Sequence, residues 1–595
     1  MTSHAGSMSN KMKPTNEMDA ERLKEAVEQV SEYVHEDKDG VLLLAQPRQE
    51  TTQQLSANIV GFILATIAIL DKEDSIAAES TGRLLFEFQQ QTSRRQVTRM
   101  QARKEAAEIH GVSDFVQKTQ SLHSEFRSWI PTVGISGTAK RERDIYQRIN
   151  NLIMFVAQCI EFYHLSLNTP DSDSFPSDGC LIYPYSQQDI KPKGGDDGSR
   201  IDIGLVTAPI KPGMKTELKE PSVEYEDIFA IAEVKLKSST SDVNNAFAQL
   251  LRYTRNIYKW QVNRRFAWGL TVCGADIRAC HFSNDAVFAS APMSLLKSQG
   301  LRQFVTLLVD WSLCSNDQRG YDPDFHKFEK GGSWYVRIPG LDGQEATTYK
   351  IVTQMVASDR LFGRHTRCFK AVECLPSDAT GNDSTNSTDN SNNNNYGPPV
   401  VIKDAWAYSK EDLKDDTRDE VGFLQTISKE LSKHTSDVVY PELLGGGRVS
   451  LEYSDTGTTV GDTTASILGD LYNSESTDGK VPISFREHKR LVMSPVGEPL
   501  KTAKSFDELM AVLADAMLCH DAVWRHCGIL HRDISDNNTL VVRQGDQVRG
   551  LLIDFNNAIT TREQSATRPG RTGTFPLMSI NNLENEGVPR TALDD

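Results

Sequence analysis

His531-Arg532-Asp533-Ile534-Ser535-Asp536-Asn537-Asn538, followed by Leu551-Leu552-Ile553-Asp554-Phe555-Asn556, holds the strongest structural signal in this sequence. Asp533 and Asp554 stand 21 positions apart, Asn538 comes five after the first, and an apolar run reads as a strand leading into the second. Around this core lies a chain of 595 residues, 38% hydrophobic and 25% charged, long enough for two or more separate cores. Lys and Arg number 65 against 81 Asp and Glu, a formal net charge of -16. That balance argues against a general polyanion binder, so any nucleic-acid site would have to be a local basic cleft. The nine cysteines form no CxxC pair, which argues against a zinc ribbon or a disulfide framework. Residues 1–13 lack the apolar segment of a secretory signal, and the longest apolar run, Ile59 to Leu70, is too short to span a bilayer. The expectation is an intracellular, reduced protein with no membrane segment, its choice of cytoplasm or nucleus left open.

The two strings resemble the H-R-D-x-x-x-x-N loop and the D-F-x turn of eukaryotic-type protein kinases. Phosphoryl transfer needs a carboxylate beside the attacking hydroxyl, which Asp533 would supply, and oxygen ligands for Mg²⁺, which Asn538 and Asp554 would supply. Arg532 is the residue that can pair with a phosphate on the activation segment, where Thr567, Thr572 and Thr574 are candidate acceptors. Upstream, Val400-Val401-Ile402-Lys403 has the shape of the V-A-I-K strand, so Lys403 would hold the ATP phosphates. Seventeen residues later Glu420 opens an apolar-periodic helix and would pair with Lys403. Gly363 is the one glycine in the place of the Gly-rich loop.

The strings VVIKDAW, LFGRHT, HKRLVMSPVGEPL, GILHRDISDNN, LLIDFNNAI and RTGTFPLMS are similar to the fungal-type protein kinase family, as is the upstream stretch from Glu233 to Gly274. That resemblance implies an α+β, bilobal kinase domain over 346–595, ATP and Mg²⁺ as cofactors, and a protein Ser or Thr as acceptor. Gly573-Thr574 resembles a Ser/Thr type of substrate loop. Three positions depart from the common pattern: Ser535 replaces a lysine, Asn556 the glycine of D-F-G, and Ser579-Ile580-Asn581 the A-P-E string. The sequence stops at Asp595, 41 residues past Asp554, so the C-terminal lobe is expected to be incomplete.

The remaining segments read as a polar, disordered stretch over 1–20 and an N-terminal helical plus α/β domain over 21–345. Helical periodicity runs through Leu23 to Val34, Leu55 to Leu70 and Arg141 to Ser166, with a charged helix over Phe86 to His110 read as a solvated face. Asn168 to Arg200 reads as a surface loop, as does Leu451 to Lys480. Strands are expected at Arg200–Val206, Asp227–Lys237 and Ser333–Ile338, a hairpin across Gly274-Ala275, and helices at Asp242–Arg264, Leu295–Leu313 and Phe506–His526. Pro376 to Pro399, rich in Asn, reads as a disordered insertion between two strands.

Within the first domain, Asp202, then Glu233-Val234-Lys235, then Gln249 and Tyr253 four apart on a helix resemble the PD-(D/E)xK, restriction-endonuclease-like fold. There Asp202 and Glu233 would bind Mg²⁺ and Lys235 would activate water or steady a phosphate. The basic residues Arg252, Arg255, Lys259, Arg264 and Arg265, interleaved with Tyr258 and Trp260, would suit a nucleic-acid backbone. Three functions follow: ATP- and Mg²⁺-dependent protein Ser/Thr phosphorylation, a pseudokinase scaffold binding through its N-terminal domain, and a metal-dependent nuclease.

Overall fold

A computed structural model describes residues 34–37, 50–70, 142–166, 179–185, 200–209, 224–328, 331–358, 360–375, 396–408, 419–434, 437–453, 458–473, 483–560, 574–580 and 583. The chain divides into two compact units, one of Met1–Asp322 with Asp359–Phe362 and Ile467–Ile483, the other of Pro323–Ser358, Gly363–Ser466 and Ser484–Asp595.

The first unit is built on a mixed sheet. Its strands are β1 (Val34–Asp37), β2 (Cys180–Tyr185), β3 (Ile203–Pro209), β4 (Ile228–Lys235), β5 (Ala267–Cys273), β6 (Asp276–Phe282), β7 (Val287–Ser290) and β8 (Met293–Ser294), in the order β1-β7-β6-β5-β4-β3-β2 with β8 beside β6. Strands β2, β3 and β4 run antiparallel, whereas β4 and β5 are parallel and joined by helix α3 (Thr240–Trp260). Helices α1 (Glu50–Leu70), α2 (Glu142–Ser166) and α4 (Ser298–Leu313) complete the unit. Every residue of β4 before Lys235 is buried, as expected of a central strand covered on both sides. Ser239 caps α3 by accepting from the Asp242 amide at 3.2 Å, and Leu250, Leu251 and Ile257 pack on Ile228, Ile231 and Ala267. Gly274, at φ +63°, makes the expected β5–β6 hairpin turn.

The second unit carries an antiparallel sheet in the order β14-β17-β13-β12-β11-β10-β9. These are β9 (Phe325–His326), β10 (Tyr335–Ile338), β11 (Thr347–Ala357), β12 (Arg367–Cys374), β13 (Tyr396–Tyr408), β14 (Glu442–Arg448) and β17 (Arg486–Ser494), with β15 (Ser450–Tyr453) and β16 (Thr458–Gly461) as a separate hairpin. Helix α5 (Glu420–His434) buries Phe423, Leu424, Ile427 and Leu431 against Leu443 and Leu491 of the sheet. The same apolar cluster takes in Ala516 and Cys519 of helix α7 (Phe506–Ala522), together with Leu552 and Phe555. Ser505 caps α7: its hydroxyl accepts from the Glu508 amide at 3.1 Å, while the Glu508 carboxylate accepts from the Lys504 amide, one residue before the cap, at 2.7 Å. Small strands β18 (Glu498–Pro499), β20 (Thr539–Gln544) and β21 (Gln547–Leu552) pair in one ladder, β19 (Ile529–Leu530) and β22 (Ile559–Thr560) in another. Helix α7 passes so close to β21 that a Cβ on Gly550 would meet the Val512 carbonyl oxygen at 2.0 Å.

Several sequence expectations change. Val34 belongs to a strand parallel to β7 rather than a helix, because partner pairing settles what so short a segment becomes. Cys180–Tyr185, the apolar run inside the expected loop, pairs with β3. The polar 451–480 stretch contains β15, β16 and the short helix α6 (Thr464–Leu468), where Thr463 and Ser466 exchange side-chain-to-amide bonds at 2.8 and 3.0 Å. Tyr396 to Pro399 are strand, not insertion. Helix α7 stops at Ala522, and a π turn over Val523–Cys527 leads to Gly528 at φ +65°. Residues 1–20, 86–110 and 376–395 lie outside the described residues. The nine cysteines are free thiols, and among the described residues no helix is long and apolar enough to cross a membrane.

The outer face of β13 and β17 holds a buried ionic network. His488 lies between Asp462, 2.8 Å from Nδ1, and Asp404, 2.9 Å from Nε2, with Trp406 stacked 4.7 Å from its ring. Arg490 donates to Asp404 at 2.9 Å and to Asp324 at 2.8 Å, and Arg367 stands 3.7 Å from Asp404. Burial opposes charge on His488, but Asp404 and Asp462 together push its pKa up from 6.5 to about 9. A group raised on folding stabilises fully below its unfolded pKa, so this contribution is complete below pH 6.5 and disappears as pH rises through 9. The shift corresponds to about 3 kcal/mol. The unfolding free energy of the second unit, followed from pH 6 to 10, should therefore fall more steeply in the wild type than in His488→Gln; parallel curves would mean that the buried ring carries no charge.

Candidate active site

Lys403 comes from β13, where it is paired with Leu491 of β17 and Cys368 of β12. Its ammonium donates to both oxygens of Glu420, at 2.7 and 2.9 Å, and to Asp554 Oδ1 at 2.8 Å. Lys403 and Glu420 are each 7% exposed. Burial works against the charge on Lys403, but Asp554 and Glu420 overcome it and hold the amine protonated beyond the usual lysine range. Burial likewise opposes charge on Asp554, and Lys403 holds that carboxyl well below the usual carboxylate range. Asp554 adopts φ +68°, a left-handed conformation that non-glycine residues enter at a cost, and Asn556 donates to its Oδ1 at 2.7 Å.

The loop that carries Asp533 is shaped by its neighbours. His531 Nε2 donates to the Ile553 carbonyl at 2.9 Å, and its Nδ1 accepts from the Asp533 amide at 3.2 Å, which assigns the proton to Nε2. Phe555 meets the His531 ring edge to face at 4.7 Å. Arg532, buried at φ +69°, bends the chain between them. Asn538 spends its amide on the Asp533 carbonyl at 2.8 Å, so its Oδ1 is the acceptor it can offer a cation. Asp533 Oδ1 accepts from the Thr574 amide at 2.9 Å and the Thr574 hydroxyl at 2.8 Å, while Asn557 donates to Oδ2 at 3.2 Å.

The geometry thus brings Lys403, Glu420 and Asp554 into direct contact, and ties Asp533 to Asn538. Gly363 lies in the β11–β12 connection at φ +112° with open space where a Cβ would stand. The kinase motif pattern does not single out Asn556 and Asn557 as carboxylate partners. Their signal is the pair of amides directly after Asp554-Phe555, each able to donate to a carboxylate. Among the described residues no group of three or more His, Cys, Asp or Glu side chains is placed to hold a metal ion. Asp554 and Asn538 carry oxygen donors of the kind Mg²⁺ takes, an ion that needs few protein ligands and completes its shell with water and phosphate.

The first unit holds the other constellation. Asp202, just before β3, accepts from Tyr146 at 2.7 Å and from the Val234 amide at 2.8 Å. Lys235 donates to Glu233 Oε1 at 2.6 Å and to the Val234 carbonyl at 3.2 Å. Glu233 is 1% exposed, and its Oε2 has no hydrogen-bond partner among the described residues. Burial first, and then Asp202, push the Glu233 pKa up to about 8. Tyr253 donates to the Arg200 carbonyl at 2.5 Å, whereas the side chain of Gln249, half-buried on α3, makes no hydrogen bond among the described residues. Arg264, part of the expected basic cleft, is instead buried, donating to the Arg319 carbonyl at 3.3 Å.

No match was found among curated proteins. The profile of the family described as fungal protein kinase matches residues 202–595, a span that takes in both constellations and an α+β, bilobal kinase-like architecture. A buried lysine answered by two carboxylates, in a sequence matched over more than half its length, places this chain in the fungal protein kinase family.

Proposed function

We propose that this chain transfers the terminal phosphate of ATP, with Mg²⁺, to a Ser or Thr hydroxyl of a protein. The observation that carries the reading is the buried contact of Lys403 with Glu420 and Asp554. In water-poor surroundings a lysine so held is a fixed positive charge, oriented before any ligand arrives. Bound Mg²⁺-ATP would supply the phosphoryl group and neutralise its oxygens. Lys403 would orient the phosphates, and Glu420 would keep its ammonium in place. Asp554, whose Oδ1 is committed to Lys403 and Asn556, would offer its second oxygen to the metal beside Asn538 Oδ1. Asp533 would accept the hydrogen of the acceptor hydroxyl; its Oδ1 already takes a hydroxyl hydrogen from Thr574, so the carboxylate suits that partner.

The test is thermal. Mg²⁺-ATP at a hundred times its Kd should stabilise the binding unit by about 2.7 kcal/mol, and Asp554→Ala should abolish the shift. Asp533→Asn should keep the shift and lower transfer to a Ser/Thr substrate by about 10²–10⁴-fold. A cooperatively melting chain with no nucleotide response would favour a pseudokinase scaffold.

A second reading is supported by Glu233, whose buried Oε2 faces no protein donor beside the Asp202 carboxylate. Two carboxylates against the single ammonium of Lys235 leave one negative charge to be met by a proton or by a cation. A divalent ion there would serve phosphodiester hydrolysis. Metal-dependent cleavage of DNA or RNA should then vanish in Glu233→Ala and persist in Asp533→Asn; cleavage surviving the first change would remove this reading.

A further inference from the structure

Glu420 is the first residue of α5, and the first turn of a helix is the part its own hydrogen bonds hold least, because the leading amides have no partner within the helix. Of the apolar side chains that dock α5, the buried Phe423, Leu424, Ile427 and Leu431 lie further along it, and beside Glu420 only the partly buried Val421 packs on the same cluster. A carboxylate that must meet Lys403 at 2.7 Å therefore needs its helix end fixed from outside.

The structure supplies that fixture one residue earlier. Asp419 is the N-cap: its Oδ1 accepts from the Gly422 amide at 3.0 Å, and its carbonyl from the Phe423 amide at 2.9 Å. Its other oxygen, Oδ2, accepts from the ammonium of Lys489. Lys489 lies on β17 opposite Ala405, as Leu491 lies opposite Lys403, so both lysines project from the same face of adjacent strands. The Lys489 side chain is 8% exposed and also stands 3.4 Å from Glu487 Oε2. Arg448 in turn holds Glu487 Oε1 at 3.3 Å. Consecutive carboxylates at the start of α5 thus answer two lysines of one sheet face, Asp419 with Lys489 and Glu420 with Lys403.

We propose that Lys489 is a positioning residue for phosphoryl transfer: by holding the Asp419 cap it sets the start of α5, and with it the Glu420 carboxylate, against Lys403. The inference rests on the phosphotransfer reading and adds to it a residue that touches neither nucleotide nor acceptor. Lys489→Met leaves the cap in place but releases it from the sheet. Glu420 then meets Lys403 for a smaller share of the time, and the loss falls on the turnover step and on ATP engagement rather than on acceptor binding. An arginine can span the same gap and keep the charge.

Full-length wild type, Lys489→Met, Lys489→Arg and Asp419→Asn are compared in two measurements. In steady-state transfer, Lys489→Met should lower kcat/KM for ATP by about tenfold with the KM for the acceptor unchanged, Lys489→Arg should recover most of it, and Asp419→Asn combined with Lys489→Met should be no worse than Lys489→Met alone. In hydrogen–deuterium exchange, amides 420–424 should exchange faster in Lys489→Met and at the wild-type rate in Lys489→Arg, with the rest of α5 unchanged. Wild-type exchange over 420–424 in Lys489→Met overturns the proposal, and so do multiplying effects of the two substitutions on kcat/KM. A wild-type chain that transfers no phosphate overturns the function reading instead, and the exchange measurement still decides whether Lys489 sets the helix end.

Discussion

One buried ammonium organises the second unit. Lys403 is reached by a carboxylate from α5 and by another from the turn after β21, two segments that lie 17 and 151 residues further along the chain. Removing either partner would leave a buried charge incompletely met, a situation that costs roughly 3–5 kcal/mol where it has been measured in proteins. The elements around Lys403 are arranged to prevent it. Phe423, Leu424, Ile427 and Leu431 seat α5 on the sheet, and Leu552 and Phe555 in the same apolar cluster seat the turn that presents Asp554. Apolar packing thus decides where the segments lie, while the ion contacts decide how the side chains within them point.

Strands β13 and β17 are unusual central strands because they carry charges on both faces. The period of two separates those charges into independent jobs. On one face Lys403 and Lys489 meet the start of α5. On the other, Asp404, His488 and Arg490 close a network of opposite charges under Trp406. Each buried ion finds a counter-ion and hydrogen bonds, which is the condition under which such charges are tolerated in an interior. The dipeptides Lys403-Asp404 and Lys489-Arg490 look out of place in a strand until the two faces are considered apart.

The first unit shows the same physics left incomplete. Each Asp202 oxygen takes one donor, Tyr146 on one and the Val234 amide on the other, yet Glu233 keeps one buried oxygen without a donor among the described residues. Lys235 meets the other oxygen only. An interior carboxylate in that state is resolved either by a proton, consistent with its raised pKa, or by a cation. The second unit, by contrast, gives Lys403 two carboxylates and three short contacts.

The identity and order of the residues gathered around Asp533 and Asp554 are legible in the sequence alone. His531, Asp533, Asn538 and Asp554 are spaced by a loop and a hairpin, local structures whose lengths are written in the chain, and Lys403 and Glu420 lie on one strand and the helix that follows it. Amphipathic helices and the Gly274 hairpin were legible for the same reason, since periodicity and turn chemistry act over a few residues. Features that depend on a distant partner emerge with the packed fold. Val34–Asp37 and Cys180–Tyr185 are strands because β7 and β3 lie beside them, and within the polar 451–480 stretch Thr463 and Ser466 start α6 by meeting each other's amides. Asn557 and Lys489 meet carboxylates that only the fold brings to them, Asp533 and Asp419. A side chain's charge is written in the sequence, but the counter-charge it meets is chosen by packing, because a Coulomb contact depends on distance in space and not along the chain.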